Sequence, residues 1–241
     1  MSSPRKDIHN SLVPVLCRSC EARHRGMCGV LEPEQLLELS RSTQKAQHPP
    51  GAELAGDSTE IGSYANVMRG VVKLSKVLED GRQQIVGLQF APDFLGRLFG
   101  EENALTAEAA SPVELCVVPK RTLEQLIAKT PALEHKLMGQ TLRELDEARS
   151  WMVTLGRKTA GEKVASFLLL IATHLDPLAE GQTSARFDLP LTRLDIADFL
   201  GLTIETVSRQ ITKLRKQGVI VVTNNRHIDV PSLERLESLC G

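Results

Sequence analysis

The segment Leu191–Gly218 reads LTRLDIADFLGLTIETVSRQITKLRKQG and contains the clearest local structural signals in the chain. Thr192 and Asp195 have the spacing of a capping box, which predicts a short helix over Arg193–Leu200. Gly201 opens a three-residue break, and a second amphipathic helix is predicted to follow it. Two short helices joined by a tight break are typical of a helix-turn-helix.

The second predicted helix carries residue types that read DNA bases. Thr203 is predicted as its N-cap, and Glu205, Ser208 and Arg209 are predicted to be exposed near its N-terminal half. An arginine can donate two hydrogen bonds to guanine, and a glutamate can accept one from the cytosine amino group. The alternative is that Glu205 and Arg209, one turn apart, form a solvent-exposed helix pair. The buried stripe of this helix is predicted to comprise Ile204, Val207, Ile211 and Leu214.

The charge of the chain is unevenly distributed. Lys plus Arg is 29 and Asp plus Glu is 30, giving a formal net charge of -1. Between residues 203 and 218, by contrast, Glu205 is the only acid, and Lys213 is one of four bases that are predicted to attract phosphate. Short strands predicted over 219–222 and 227–230, around a turn at 223–226, would add a wing with a basic tip. This region is therefore predicted to bind double-stranded DNA.

Three of the five cysteines lie close together near the N-terminus, in the stretch CRSCEARHRGMC, and a fourth stands alone on a predicted strand. In a chain that keeps its thiols reduced, this spacing indicates metal ligands rather than a disulfide framework. Four thiolates could hold a zinc ion or an iron-sulfur cluster, and unliganded thiols are a third interpretation. Nearby bases, namely Arg18, Arg23, His24 and Arg25, would offset thiolate charge. The four candidate ligands are Cys17, Cys20, Cys28 and Cys116, whereas Cys240 is predicted to lie in a frayed tail.

Residues from about 45 to 120 alternate short apolar runs with glycine-containing turns. This pattern predicts a small β-sandwich or roll, with strands at 71–74, 85–88 and 115–118 and a hairpin turn at Glu79–Gly81. Cys116 falls on the last of these strands. A cysteine on a strand is more often a small core residue than a ligand.

A long helix is predicted to begin at Pro131, because no further proline interrupts the sequence through Lys158. One face repeats every seven residues, which is typical of a two-stranded coiled-coil seam and predicts a homodimer. Two of the seam residues are small or polar, so an ordinary core-facing helix is the alternative. The predicted seam comprises Met138, Thr141, Leu145, Ala148, Met152 and Leu155.

Together, a three-cysteine arm, a glycine-rich β-roll with a fourth cysteine, a long helix and a winged helix-turn-helix resemble the oxygen-responsive FNR branch of the cAMP receptor protein (CRP/FNR) superfamily. The resemblance covers nearly the whole chain. The DNA-reading pattern of that family, Glu, two residues, then Ser-Arg, matches Glu205, Ser208 and Arg209. The implied fold is α+β, with a cysteine arm over 1–30, a cyclic-nucleotide-binding-like β-roll over 31–130, a dimerisation helix over 131–158 and a winged helix-turn-helix domain over 159–241.

The resemblance also implies a function. It implies one oxygen-labile four-iron four-sulfur cluster per subunit, with Cys17, Cys20, Cys28 and Cys116 as ligands. It further implies a cytoplasmic homodimer that binds a palindromic TTGAT-type promoter site, controls genes of anaerobic metabolism and contacts RNA polymerase through the loop Glu79–Arg82. The alternative is a zinc-stabilised regulator of the same fold that does not sense oxygen.

Three function classes are disfavoured. Relatives that bind cyclic nucleotides carry an Arg-Ser pair for the phosphate, but 92–96 and 104–111 here contain no arginine, so no cyclic nucleotide is expected. No Cys-His pair lies in a catalytic signature, which argues against an enzyme. The apolar runs are too short for a membrane span.

Overall fold

The computed structural model describes residues 13–14, 17, 20–175 and 181–241. Arg18 and the segment 1–12 of the predicted arm lie outside the described residues. The predicted α+β class is confirmed, with a β-roll followed by a long helix and a helical C-terminal domain. Within the described part of the chain, no helix is both long and apolar enough to cross a bilayer.

The N-terminal part consists of short helices and a two-sheet β-roll. One antiparallel sheet has the strand order β1-β8-β3-β6 and the other β2-β7-β4-β5. The strands expected at 85–88 and 115–118 fall within β5 and β8, whereas the one expected at 71–74 begins one residue before β4. Gly81 closes the β4–β5 hairpin with a φ of 85°. The elements are α1 (Glu21–Arg25), a 3-10 turn (Met27–Val30), α2 (Pro33–Ser40), β1 (Gln44–His48), β2 (Glu53–Ala55), β3 (Ser63–Arg69), β4 (Val72–Val77), β5 (Gln83–Gln89), β6 (Phe94–Leu95), β7 (Thr106–Ala109) and β8 (Val113–Pro119).

The C-terminal part begins with the long helix and ends in a winged domain. The long helix expected from Pro131 is confirmed, and a third strand, β9, which was not expected, completes the wing sheet in the order β10-β11-β9. The elements are α3 (Lys120–Lys129), α4 (Pro131–Arg157), α5 (Ala160–His174), β9 (Ala185–Asp188), α6 (Arg193–Leu200), α7 (Ile204–Lys216), β10 (Val221–Thr223), β11 (His227–Val230) and α8 (Leu233–Glu237).

The capping signals of the helix-turn-helix are confirmed. The Thr192 hydroxyl accepts from the Asp195 backbone N–H at 3.1 Å, and the Asp195 carboxylate accepts from the Thr192 backbone N–H at 3.0 Å. Gly201 ends α6 in the left-handed region, with a φ of 59°.

The prediction that Ile204 belongs to the buried stripe is wrong, since 41% of it is exposed. Only the turns of α7 from Val207 onward are covered by α5 and α6.

Cys240 does not lie in a frayed tail. It is buried in the same apolar core as Leu236, and its Sγ–H donates to the Leu236 carbonyl at 3.4 Å. The Ser166 hydroxyl of α5 donates to the Cys240 carbonyl at 3.4 Å, which fixes the end of the chain against the domain. The prediction failed because α8, too short for a strong sequence signal, returns the C-terminus to the core.

Glu144 of α4 lies beside Asp93 and Glu147. Burial, followed by these two negative charges, raises the pKa of Glu144 to about 7, while Arg143 and a hydrogen bond from Gln89 act in the opposite direction. The native state therefore binds more protons than the unfolded chain between pH 4.5 and pH 7. The free energy of unfolding should fall as the pH rises through this window.

We expect Glu144→Gln to flatten this dependence, because the substituted amide has no proton to lose. Thermal unfolding measured from about pH 5 to about pH 8 tests this, with Glu134→Gln in the first turn of the same helix as the matched control. A Glu144→Gln protein whose unfolding temperature has the wild-type pH slope would contradict the assignment.

Candidate functional site

The four thiols predicted as ligands lie in one group. Cys28 belongs to the 3-10 turn and Cys116 to β8. Burial raises the pKa of Cys28 most, and the nearby Cys116, Cys17 and Cys20 raise it further. Burial likewise raises the pKa of Cys116 to about 11, followed by the effects of Cys20 and Cys17. The fold thus brings thiols that are almost 100 positions apart in sequence within electrostatic reach of one another.

The donor chemistry of this group fits a thiolate-ligated metal cluster. Metal binding deprotonates thiols that burial would otherwise keep protonated, and Arg23 and Lys45 lower the pKa values of Cys28 and Cys116 respectively. Among the described residues, no three His, Cys, Asp or Glu side chains are placed to hold a metal ion. A tetrahedral zinc site needs four ligands around one point, whereas the thiolates of a four-iron cluster bind separate irons. Four thiolates can hold either a zinc ion or an iron-sulfur cluster, so the donor chemistry fits both.

The 3-10 turn that carries Cys28 packs directly against the long helix. Met27, the residue before this cysteine, is fully buried in a core that also contains Leu133 and Leu137 from the first two turns of α4. Interiors of this kind are close-packed and transmit displacement rather than absorb it. A shift of the turn would therefore be felt at the N-terminal end of α4.

The predicted seam positions lie mostly on the outer surface of α4. Met138, Thr141, Leu145, Ala148 and Met152 are exposed in the single chain, and Leu155 is half-buried. Two large apolar residues that were not predicted, Leu142 and Val153, are 55% and 59% exposed. Leu142 lies four residues after Met138 and three residues before Leu145, so the i, i+4 spacing from Met138 could have revealed Leu142. The exposed apolar stripe is wider than the heptad pattern alone indicates.

The predicted base-reading residues share the exposed side of α7. Glu205, Ser208, Arg209 and Lys213 are all exposed, and Thr203 caps the helix by accepting from the Thr206 backbone N–H at 3.3 Å. Hydrogen bonds from its own backbone N–H and from the Thr203 hydroxyl lower the pKa of Glu205, which keeps it an anionic acceptor. Thr212 and Lys216, not predicted as site residues, complete a shallow groove along the same side; its lining is Ser208, Arg209, Thr212, Lys213, Lys216 and Gln217.

The wing has the predicted turn and differs from the prediction at one end. Asn224 and Asn225 occupy the turn with positive φ angles of 52° and 57°. The Arg226 Nε donates to the Leu189 carbonyl at 3.0 Å while the residue stays exposed, so the turn presents two amides beside an arginine. The first strand begins at Val221 rather than at 219, because residues 219 and 220 are buried in the domain core.

A cavity of about 710 Å³ lies inside the β-roll and reaches α4. Arg97 lines the cavity and is exposed. It was not predicted, because it lies one residue beyond the arginine-free stretch 92–96. The other polar groups include Gln89, Gln140 and Glu144. Within the described part of the chain, the buried Oε1 atoms of Gln89 and Gln140 have no hydrogen-bond partner. A cavity lined by such acceptors is a poor environment for an anion.

Two family models match the chain. A Crp-like helix-turn-helix domain matches residues 162–239, and a cyclic nucleotide-binding domain matches residues 47–130. Among solved structures, FixK2 from Bradyrhizobium japonicum is similar, with a TM-score of 0.75 and 33% identity, covering 83% of this chain and 98% of that one.

Similar relatives extend along almost the whole chain. A probable transcriptional activator of Rhizobium leguminosarum bv. viciae is 54% identical over 239 residues, covering 99% of each protein. The transcriptional activator protein FnrL of Cereibacter sphaeroides is 39% identical, covering 93% of this chain and 92% of the relative. These relatives are transcription regulators, not enzymes. The chain belongs to the CRP/FNR family of DNA-binding transcription regulators.

Proposed function

We propose that this chain is an oxygen-sensing transcription activator or repressor that acts as a homodimer and holds one four-iron four-sulfur cluster per subunit. The observation that carries the proposal is the grouping of Cys17, Cys20, Cys28 and Cys116 beside the start of α4. When bound, the cluster supplies iron-sulfur chemistry that oxygen can destroy. The alternative is a zinc-stabilised DNA-binding regulator of the same fold that does not sense oxygen.

The apolar residues beneath the cysteine arm would couple the ligation of the thiols to the packing of α4. Ligation at Cys28 and Cys116 would fix the 3-10 turn against β8. Met27 would then hold Leu133 and Leu137 in one packing arrangement, and α4 would present its exposed stripe to a second copy. Release of the thiols would loosen the turn and weaken this pairing. Coupling of about 1–3 kcal/mol between two such sites is ordinary for allosteric proteins.

The DNA-binding side of the proposal rests on the exposed face of α7. We assign base contacts to Glu205, Ser208 and Arg209, a phosphate contact to Lys213 and helix capping to Thr203. Two copies of α7 in a dimer, spaced by about 34–36 Å, match half-sites one DNA turn apart. The preferred site is a TTGAT-type palindrome.

One further contact is proposed for the β-roll, and one ligand is proposed to be absent from it. The β4–β5 hairpin tip offers a surface to RNA polymerase, since Val77 and Leu78 are about half exposed beside the ion pair of Asp80 and Arg82 at 2.8 Å. The cavity is proposed not to hold a cyclic nucleotide, because its buried acceptors would repel a phosphate while Arg97 remains exposed.

We expect Cys17→Ser, Cys20→Ser, Cys28→Ser and Cys116→Ser each to abolish cluster binding, because each removes one of the four thiolates. Cys240→Ser is the control and should keep a full cluster, since this thiol lies in a different core. Iron and sulfide are measured per subunit after anaerobic purification. Full iron and sulfide in Cys116→Ser would refute the four-ligand set.

Arg209→Ala should weaken binding to the preferred DNA site by about 1–3 kcal/mol and relax selection for guanine, because a bidentate contact is lost. Lys213→Ala should instead weaken binding to all sequences similarly and reduce the salt dependence. Titrations on matched and guanine-substituted duplexes at several salt concentrations separate the two roles. Unchanged guanine preference in Arg209→Ala would remove its base-reading role.

Air should shift the protein from dimer towards monomer, by about 100-fold in dimer affinity if the coupling is near 2.7 kcal/mol. Ala148→Leu adds apolar area to the exposed side of α4 and should retain more dimer and more DNA binding in air. Ser150→Leu is the matched control, because residue 150 lies about 120° from Met138 and about 140° from Leu145 around the helix axis. Sedimentation in anaerobic and aerated buffer measures the change, and equal dimer affinity in both would contradict control through assembly.

A further inference from the structure

The β-roll holds α6, the first helix of the helix-turn-helix, at both of its ends. At the N-terminal end, the Lys73 Nζ of β4 lies 2.7 Å from the Asp195 Oδ1 and 2.9 Å from the Glu108 Oε1. At the C-terminal end, the Gln84 Nε2 of β5 donates to the backbone carbonyls of Asp198 at 2.6 Å and Phe199 at 3.3 Å. We call Lys73 and Gln84 the α6 clamp.

The charged half of the α6 clamp is desolvated and remains charged near neutral pH. Lys73 is 8% exposed. Burial opposes its ammonium form, but hydrogen bonds to Asp195 and Glu108 prevail and raise its pKa. Burial acts against the Asp195 carboxylate as well, yet hydrogen bonds from Lys73 and Thr192 lower its pKa. A buried pair of this kind has strict geometric demands, since separating the partners leaves charges without compensation.

The clamped helix is central to the DNA-binding domain. Asp195 also forms the capping box that begins α6. The apolar surface beneath the clamp is continuous, because Val71 and Ile85 of the β-roll share one buried core with Ile196 and Phe199 of α6. Helix α6 in turn packs on α7. The orientation of α7 is therefore set by the β-roll as well as by its own domain.

The covalent link between the two parts is short and gives little orientation of its own. Helix α4 ends at Arg157 and α5 begins at Ala160, so only Lys158 and Thr159 join them, both in extended conformation. Two extended residues do not continue the axis of α4 into α5, and Trp151 of α4 contacts Phe199 of α6 with 4.5 Å between ring centroids. Non-covalent contacts such as the α6 clamp must then fix the angle between α4 and α7.

We propose that Lys73 and Gln84 are positioning residues for DNA recognition, which hold α7 at the angle that a two-half-site DNA requires. A dimer reads two half-sites only when its recognition helices are correctly spaced and oriented, and pre-organisation removes the cost of finding that arrangement. The inference rests on DNA binding by α7 in a dimer, and it does not depend on which group the thiols hold. The clamp confers selectivity for half-site spacing, while the exposed side of α7 confers selectivity for bases.

The test compares the full-length variants Lys73→Met and Gln84→Ala with two matched controls. Lys76→Met removes a lysine of the same strand whose Nζ lies 2.6 Å from Asp57 Oδ2 within the β-roll. Gln47→Ala removes a glutamine that donates to Glu114 at 3.2 Å, also within the β-roll. Each anaerobically purified protein is titrated with two duplexes, the palindrome preferred by the wild type and the same palindrome with one base pair inserted at its centre.

We expect the wild type and both controls to discriminate strongly between the two duplexes. Lys73→Met and Gln84→Ala should lose about 10-fold of this discrimination while keeping their preference among bases. A general weakening of the DNA-binding domain would instead lower affinity for both duplexes equally. Wild-type spacing discrimination in Gln84→Ala, or in a folded Lys73→Met, would overturn the proposal. If Lys73→Met does not fold, Gln84→Ala alone tests the proposal, because removal of the Gln84 amide leaves no buried charge without a partner.

Iron and sulfide are measured on the same samples. Altered spacing discrimination at full cofactor content assigns the effect to the α6 clamp. Wild-type discrimination at full cofactor content rejects the clamp without bearing on the cluster. Loss of cofactor in a clamp variant would show that the two regions are coupled. The spacing discrimination of that variant is then compared with the discrimination of Cys116→Ser. The proposal stands only if the clamp variant departs further from the wild type than Cys116→Ser does.

Discussion

The burial of Met27 against the first two turns of α4 is the contact on which the rest of the arrangement depends. This side chain is fully buried, and so is Leu133, while Leu137 is 2% exposed. Through this contact the cysteine turn packs against the helix that is proposed to pair two copies. Since Cys28 is the next residue, any group that it binds is held one residue from the packing centre of the N-terminal core.

Two sets of contacts bear on the DNA-binding helix. The exposed apolar stripe of α4 is proposed to pair two copies and so to set the distance between the two α7 helices. Separately, the β-roll shares a core with the C-terminal domain through Val71 and Ile85 and holds α6 at both ends. The first set is proposed to bring two recognition helices together, and the second to orient each of them.

The features that could be predicted from the sequence are those that depend on residues close together in the chain. The capping box at Thr192 and Asp195 and the left-handed Gly201 depend on neighbouring residues only, so their spacing was enough to place α6. The long helix from Pro131 and the strand that carries Cys116 follow equally from local pattern. The joint role of Cys116 and the N-terminal cysteines came from the family resemblance, because no local pattern relates residues that far apart.

Several features that sequence reasoning missed depend on contacts between distant segments. Cys240 is buried because α8 returns to α5, and Arg226 donates to the carbonyl of Leu189, which lies almost forty residues earlier in the chain. Lys73 lies on a strand where alternation alone would leave a lysine in solvent, yet two carboxylates from other elements draw it inside. Such partners become visible only when the chain is folded.

The most direct measurement of the central claim is native mass spectrometry of the protein purified without oxygen, followed by the same sample after exposure to air. One spectrum reports both the bound group and the number of chains. The account predicts a dimer whose added mass equals one four-iron four-sulfur cluster per subunit, and a monomer without that mass after air. An added mass of zinc, or a dimer that persists in air after the cluster is lost, would contradict it.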